Sequence, residues 1–396
     1  MVEPTGVLSD VRVLDIATVV AGPGVARHLA DFGADVIKVE PPGGDPTRRL
    51  GWTIPGDDAS LFWKLVGRGK RSVVIDLKQP QGLNDMLRLV DRAHVLIENM
   101  RPGKLEKLGL GPDVLLERNP ALVIVRITGW GQTGPYASRP GFATLAEAMS
   151  GWASLSGVPG GQPLLPPVAL TDEVTAIFGA FSVMVALRHA EATGEGQVVD
   201  LSLLEALLQI MGPLPSAYQH LGYLQPRLGA GIPYTVPRGT YQCSDGVWVA
   251  ISSSSDSVAN RVLRLLGFAN DKRFTTFQKR FENREALETL VSDWVAARSH
   301  PEVISQFEGV DAAIAPVYAM DDVMKDPHLL DRHAFIEVDG ITMQGVAPRL
   351  SATPGVVRFA GRPLGADTDT VLAELAIATP VQPDAEDLET GEIAAS

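Results

Sequence analysis

The chain has 396 residues, 45% hydrophobic and 20% charged, with 39 glycines and 29 prolines; that exceeds what one hydrophobic core usually spans, so a loop-rich α/β protein of two domains, or one large domain with an insertion, is expected. A formal net charge of -13 speaks against general nucleic-acid binding, which needs clustered Lys and Arg, and obliges any anionic ligand to find a local basic patch. The single cysteine, Cys243, excludes an internal disulfide and a multi-cysteine metal site; with no basic-then-apolar leader and no uninterrupted apolar stretch of about 18 residues, a soluble cytoplasmic protein without a membrane partner is expected.

Residues 11–130 alternate short β-branched runs with amphipathic segments, as βαβ units around a parallel sheet do. Strands are expected at 11–17, 35–40, 71–77, 94–99 and 122–129, with helices such as 24–33 and 81–93 between them. This pattern predicts a doubly wound, Rossmann-like core. Residues 171–193 read as a helix apolar on nearly every side, and so buried together with its start. A turn, a strand and a helix over 193–210 complete the first part of a large α/β domain, 1–210. The Gly- and Pro-dense stretch 211–238 reads as a linker. A smaller α+β domain, 239–312, opens with two strands around an Asp-Gly turn and continues with helices to about residue 309. Residues 313–379 are expected to return to the large domain, and the acidic, aromatic-free segment 380–396 reads as a mobile tail.

Several motifs invite chemistry. Gly22-Pro23-Gly24 after the first strand, with Glu40 ending the second, imitates a dinucleotide fingerprint, but Arg27 stands where its third glycine belongs. A nicotinamide oxidoreductase is therefore disfavoured, although the following helix N-terminus still offers N–H donors to an anion. The segment 67–72, GRGKRS, lacks the first glycine and the Ser or Thr of a phosphate loop. Even so, Lys64, Arg68, Lys70, Arg71 and Lys78 crowd together. The plain reading is a solvated surface loop; the functional one is a site for a ligand with several phosphates. No metal is expected, because the histidines are scattered and the one close pair, His328 and His333, lacks ligand spacing. No Gly-x-Ser-x-Gly elbow exists, and Ser252–Ser255 read as a loop after a strand.

Asp172 also has two readings. An Asp in a first helical turn ordinarily caps orphan N–H groups. This one opens an apolar helix and follows the flexible stretch 156–167, SGVPGGQPLLPP. Its carboxylate is expected to be partly desolvated yet held by backbone N–H donors, the state that suits a nucleophile.

Six ordered blocks extend these hints: 11–48 (VRVLDIATVVAGPGVARHLADFGADVIKVEPPGGDPTR), 68–82 (RGKRSVVIDLKQPQG), 94–111 (HVLIENMRPGKLEKLGLG), 127–151, 172–206 and 315–335. Together they resemble the class III (CaiB/BaiF-type) coenzyme A transferases, a family that includes formyl-CoA and carnitine-CoA transferases and the related α-methylacyl-CoA racemases. The resemblance runs from about residue 8 to 360. It implies an acyl-CoA:carboxylate CoA-transferase in which Asp172 forms a mixed anhydride and then an aspartyl-CoA thioester. It places CoA contacts at Val19, Val20, Ile75, Lys78, Asn99, Met100 and Lys107, with Lys78 and Lys107 on phosphates. Coenzyme A would be a thioester substrate, not a permanently bound cofactor, and a free carboxylic acid the second substrate. The resemblance also implies an interlocked homodimer, two rings of chain passing through one another, with each active site between the large domain of one subunit and the small domain of the other.

Three departures bear on specificity. Pro41 stands where some relatives carry an Arg, Val20 where formyl-CoA transferases have Gln, and only 251–257 is placed to substitute for their glycine-rich lid; oxalate is therefore not expected as the acceptor. In a racemase Asp172 would act as acid or base at the α-carbon, but Gly141-Phe142-Ala143 replaces the racemases' Gly-His-Asp, so the second base is missing. A remoter reading is a non-catalytic CoA-binding protein that has kept the fold.

Overall fold

Six strands, β1 (Arg12–Asp15), β2 (Asp35–Glu40), β3 (Lys70–Val74), β4 (Val95–Glu98), β5 (Val123–Thr128) and β6 (Val198–Ser202), form a parallel sheet in the order β3-β2-β1-β4-β5-β6. This is seen in a computed structural model that describes residues 6–377; the acidic tail expected at 380–396 lies outside the described residues. Helices α1 (Ala21–Asp31), α2 (Leu61–Val66), α3 (Pro80–Val90), α4 (Lys104–Lys107), α5 (Pro112–Arg118), α6 (Ala143–Met149), α7 (Trp152–Leu155), α8 (Leu170–Thr193) and α9 (Leu203–Gln209) connect or follow the strands. Register puts Val36, Val13, Val95 and Val123 in one row against α1 and α8. The next row, Ile37, Leu14, Leu96 and Ile124, meets α3, α4 and α5. Both faces are covered, which is why these strands read as unbroken apolar runs with no polar alternation.

The crossing of α1 and α8 is close. A Cβ on Gly24 would lie 2.7 Å from that of Ala176, and one on Gly179 would lie 2.4 Å from Val25 Cγ2. Helix α8 ends at Gly194, whose φ of 75° lets its N–H turn back onto the Ala190 carbonyl at 2.8 Å. The expectation that α8 is buried on all sides is not met. Ala176, Val183 and Ala186 are buried, whereas Ile177, Phe181 and Val185 are 59%, 67% and 55% exposed. Only one face of α8 meets α1 and the sheet. An apolar helix surface marks what can be buried, and the sequence does not say which half this chain buries by itself. By length and composition α8 could also cross a bilayer.

Beyond the sheet, α10 (Leu214–Leu221) interrupts the stretch read as a linker. Strands β7 (Arg238–Gln242) and β8 (Trp248–Ser252) form the expected hairpin, and α11 (Asp256–Leu265), α12 (Phe277–Glu282), α13 (Arg284–Ala296) and α14 (His300–Gly309) contribute to its core. A correction follows at 313. Strand β9 (Ala313–Pro316), expected to start the return to the large domain, instead pairs antiparallel with β8, from Ser252↔Ala313 to Val249↔Pro316. Its four apolar residues satisfy an open sheet edge that lies close at hand. Short helices α15 (Met320–Val323) and α16 (Pro327–Asp331) lead to a hairpin of β10 (Phe335–Val338) and β11 (Ile341–Gln344), which packs with Leu65 of α2. Finally α17 (Thr368–Ile377) places Val371 and Leu375 in the α3 side of the core.

Beneath the first βα turn lies a buried charge network. Asp15, Lys38, Lys70 and Asp45 are each no more than 1% exposed. Lys38 Nζ lies 3.5 Å from Asp15 and 3.1 Å from Asp45, and Lys70 Nζ lies 2.9 Å from Asp15. Burial works against a charged Lys38, but the carboxylates of Asp15, Asp45 and Glu40 outweigh it and raise its pKa. For Lys70 burial wins, assisted by Lys38, and its pKa falls to about 8. The same groups hold the turn's backbone: the Ala17 and Val19 N–H groups donate to Asp15 and Asp45, while the Ala17 and Pro23 carbonyls accept from Lys38 and Lys70. Removing one member strands the others. Lys38→Met is predicted to destabilise the protein by about 3–5 kcal/mol, because buried Asp45 then loses its ion-pair partner and Asp15 keeps only Lys70; urea unfolding at neutral pH measures it.

Candidate active site

A cavity of about 860 Å³ opens above the carboxyl ends of the strands and includes the residues that follow β1 and β4, where the strand order reverses. That switch point is where open α/β sheets leave a crevice. Asp172, Val19, Val20, Ile75, Lys78, Asn99, Met100 and Lys107 all line it. Eight positions drawn from five stretches of sequence thus share one cavity.

The first turn forms part of its wall under strain. Val19 has φ +70°, a conformation that a β-branched residue rarely adopts. Besides the buried charges, Asn99 secures it: its Oδ1 accepts from Thr18 N at 2.9 Å and its Nδ2 donates to Thr18 O at 2.7 Å. Asn99 therefore clamps the β1 turn to the β4 turn. Helix α1 begins after Val20, which offers no side-chain cap, so its first N–H groups remain suited to an anion.

Three carboxylates line the cavity: Glu40, Asp76 and Asp172. Glu40 is occupied, accepting from Arg48 Nε and Nη2 at 2.7 Å each and from Asp45 N at 2.9 Å. The acid that mimicked a ribose ligand is thus a structural ion-pair partner. Asp76 accepts from Lys78 N at 3.0 Å. Asp172 accepts no hydrogen bond among the described residues, so it neither caps α8 nor is held by the expected N–H donors. The reason is position. It is the third residue of the helix, still in the first turn, but its side chain is turned to the cavity instead of to the helix's free N–H groups. Burial pushes its pKa up to about 6, and the charges of Glu147 and Glu173 add to the shift.

The expected polyphosphate cluster is mostly something else. Arg68 binds Asp31 through two nitrogens at 3.0 and 2.6 Å, Arg71 binds Asp35, Lys64 binds Asp57, and Lys70 belongs to the buried network. These cations neutralise acids from neighbouring elements, and of the five only Lys78 lines the cavity. The cations that join Lys78 there come from the β4 turn and α4: Arg101, Lys104 and Lys107. All four are exposed, and none makes an ion pair among the described residues. Arg101 and Lys104 were missed, although three cations in the short run RPGKLEK were a readable signal in an acidic chain. Arg126 of β5 anchors this rim, holding Glu98 at 2.7 Å and Glu106 of α4 at 2.8 Å.

At the Asp172 end the wall is Thr128, Gly129, Gly141, Phe142, Ala143, Thr144 and Leu203. The loop between the two glycines is tied at its neck, since a Cβ on Gly129 would fall 2.6 Å from Gly141 Cα. No histidine is among the cavity's described lining residues.

Comparison with known proteins agrees with this fold. The family model described as CoA-transferase family III matches residues 8–368. The chain belongs to that family. This class III CoA-transferase is 40% identical over 378 residues to the alpha subunit of succinyl-CoA:L-malate CoA-transferase from Chloroflexus aurantiacus, covering 93% of this chain and 88% of the relative. It is 34% identical over 383 residues to succinate–glutarate CoA-transferase from Agrobacterium fabrum, covering 93% and 95%. A CaiB/BaiF family protein from Brucella suis has a crystal structure similar to the transferase's fold with a TM-score of 0.84, at 31% identity over 94% of this chain and 100% of that one.

The raised pKa of Asp172 has a stability consequence. Its folded pKa, about 6, exceeds the ordinary 3.8, so the fold disfavours the charged form; the cost is absent below about pH 4 and complete above about pH 6. Asp172→Asn is predicted to stabilise the transferase at neutral pH by about 1–2 kcal/mol, a figure reduced because the group opens to solvent. The gain should shrink to nothing as the pH falls from about 6 to 4, followed by denaturant unfolding across that range.

Proposed function

We propose that this transferase moves coenzyme A from an acyl-CoA to a free carboxylic acid, with Asp172 as the covalent acceptor. The observation that carries the reading is that Asp172 alone among the three cavity carboxylates accepts no hydrogen bond among the described residues. In the first step an Asp172 oxygen attacks the thioester carbonyl and the C–S bond breaks, giving a mixed anhydride and CoA thiolate. The thiolate then attacks the aspartyl carbonyl and releases the donor acid, leaving an aspartyl-CoA thioester. The acceptor carboxylate attacks that carbonyl and expels the thiolate, forming a second anhydride. Attack of the thiolate on the acceptor carbonyl yields the new acyl-CoA and restores Asp172. Each step exchanges one activated acyl group for another, and water must be excluded throughout because every intermediate can hydrolyse.

Val19, Val20, Ile75, Asn99 and Met100 would form the apolar and backbone-lined slot for the CoA body, with Lys78 and Lys107, joined by Arg101 and Lys104, on its phosphates. The two curated relatives carry succinyl-CoA or succinate in their names, so succinyl-CoA is the first donor to try and short dicarboxylic acids the first acceptors. The lack of a histidine among the described residues of the cavity wall argues against a racemase. We infer further that the working form is an interlocked homodimer; the exposed apolar face of α8 supports an assembly, and a monomeric mass in solution would overturn this part.

The decisive experiment mixes enzyme with succinyl-CoA, without acceptor, and reads intact mass after rapid acid quench. A CoA adduct mapping to Asp172, absent in Asp172→Ala together with a loss of turnover of about a thousandfold or more, is the expected result. Unchanged turnover in that variant refutes the mechanism. Single replacement of Lys104 or Lys107 by Ala should raise KM for the CoA thioester by about three- to tenfold with kcat nearly kept, since phosphate contacts are equal in ground and transition states. In initial-rate measurements kcat/KM should fall on the acid side with an apparent pKa near 6, as the nucleophile becomes protonated.

A further inference from the structure

Glu147 of α6 is 4% exposed and makes no ion pair among the described residues, an unusual condition for a buried acid. Elsewhere in the same domain the fully buried acids are compensated, among them Glu98 by Arg126, Glu40 by Arg48 and Asp31 by Arg68, and the half-buried Glu173 is paired with Arg27 at 2.8 Å. Glu147 has instead one hydroxyl. Its Oε1 accepts from Thr171 Oγ1 at 2.9 Å, and Thr171, fully buried, directly precedes Asp172. The Thr171 carbonyl in turn accepts from Thr175 Oγ1 at 2.7 Å. A chain of side-chain hydrogen bonds therefore runs from α6 into the first turn of α8.

We propose that Glu147 is a positioning residue for Asp172, anchoring the first turn of α8 through Thr171 and keeping an unpaired negative charge behind the nucleophile. The proposal rests on the assignment of Asp172 as the acylated group. A neighbouring like charge keeps a carboxylate basic, and basicity favours attack on a carbonyl. Acylation discharges Asp172, so the repulsion is relieved as the first bond forms, and it returns only when Asp172 is released. Glu173 also presents a like charge to Asp172 but is paired with Arg27, and other charged groups on the elements packed against α8 do not substitute for Glu147. On α1, Arg27 is committed to Glu173, and His28 is held neutral because burial, with Arg27 next, lowers its pKa to about 4. Glu205 of α9 and Asp200 of β6 are exposed to solvent; Arg126 of β5 is committed to Glu98 and Glu106. On the cavity side Glu40 and Asp76 are bonded, and Lys78, Arg101, Lys104 and Lys107 form the cationic rim.

Glu147→Gln tests the charge, because the amide oxygen can still accept from Thr171. Glu147→Asp keeps the charge and serves as the conservative rescue. Two readouts are taken on the intact enzyme: the titration of Asp172 by carbon NMR of its carboxyl group, assigned by its loss in Asp172→Asn, and the acid limb of kcat/KM for succinyl-CoA. In Glu147→Gln both midpoints should move down by about half to one pH unit, with the acylation rate at neutral pH lowered by about three- to tenfold. In Glu147→Asp both should stay near the wild-type values. A Gln variant whose Asp172 titrates as in the wild type, or an Asp variant that shifts as far as Gln does, overturns the proposal. Should Asp172→Ala retain turnover, the covalent mechanism fails on its own account, while the titration, which needs no activity, still judges the coupling.

Discussion

The arrangement depends on four charges that never meet solvent. Asp15, Lys38, Asp45 and Lys70 sit under a turn whose backbone they grip at Ala17, Val19 and Pro23. A turn carrying a β-branched residue at positive φ would relax if left to itself, since such a conformation costs on the order of 1–3 kcal/mol. Here it cannot relax without breaking buried ion pairs, and the penalty for that is larger. The stability of the interior thus fixes the shape of a surface cavity.

From that fixed turn the cavity spans both sides of the sheet. The helix that carries Asp172 packs on the valine-rich face with α1, while α4, bearing Lys104 and Lys107, packs on the opposite face with α3 and α5. A ligand touching both ends has to lie across the carboxyl edge of the strands. An elongated molecule with phosphates at one end and a reactive carbonyl at the other suits that path, and in a chain of acidic net charge the cationic rim offers its charged end a local basic patch.

Much of this was legible in the residues. Strands β1 to β5 show as apolar runs because both of their faces are covered, and the eight residues suggested by resemblance converge on one cavity. What failed was the reading of charge and of apolar surface. Arg68, Lys70 and Arg71 look like a ligand site because sequence lists cations beside one another, whereas their partners Asp31, Asp15 and Asp35 arrive from other strands and helices. The all-round burial expected of α8 failed for a related reason: Phe181 and Val185 are apolar as Val183 is, and only the placement of α1 and the sheet decides which is covered. Asp172 lines the cavity, but its freedom from hydrogen bonds among the described residues was not foreseeable from its place in a first turn.

The knot at Gly129 and Gly141 separates two demands that would otherwise conflict. Between them the chain packs on itself, with Trp130 edge-on to Tyr136 and Arg139 over the same ring, while the strand on one side and α6 on the other are pinned where the backbones touch. Changes of length or composition inside that closed loop should leave Asp172, the proposed nucleophile, in place, since residues 130–140 do not line the cavity.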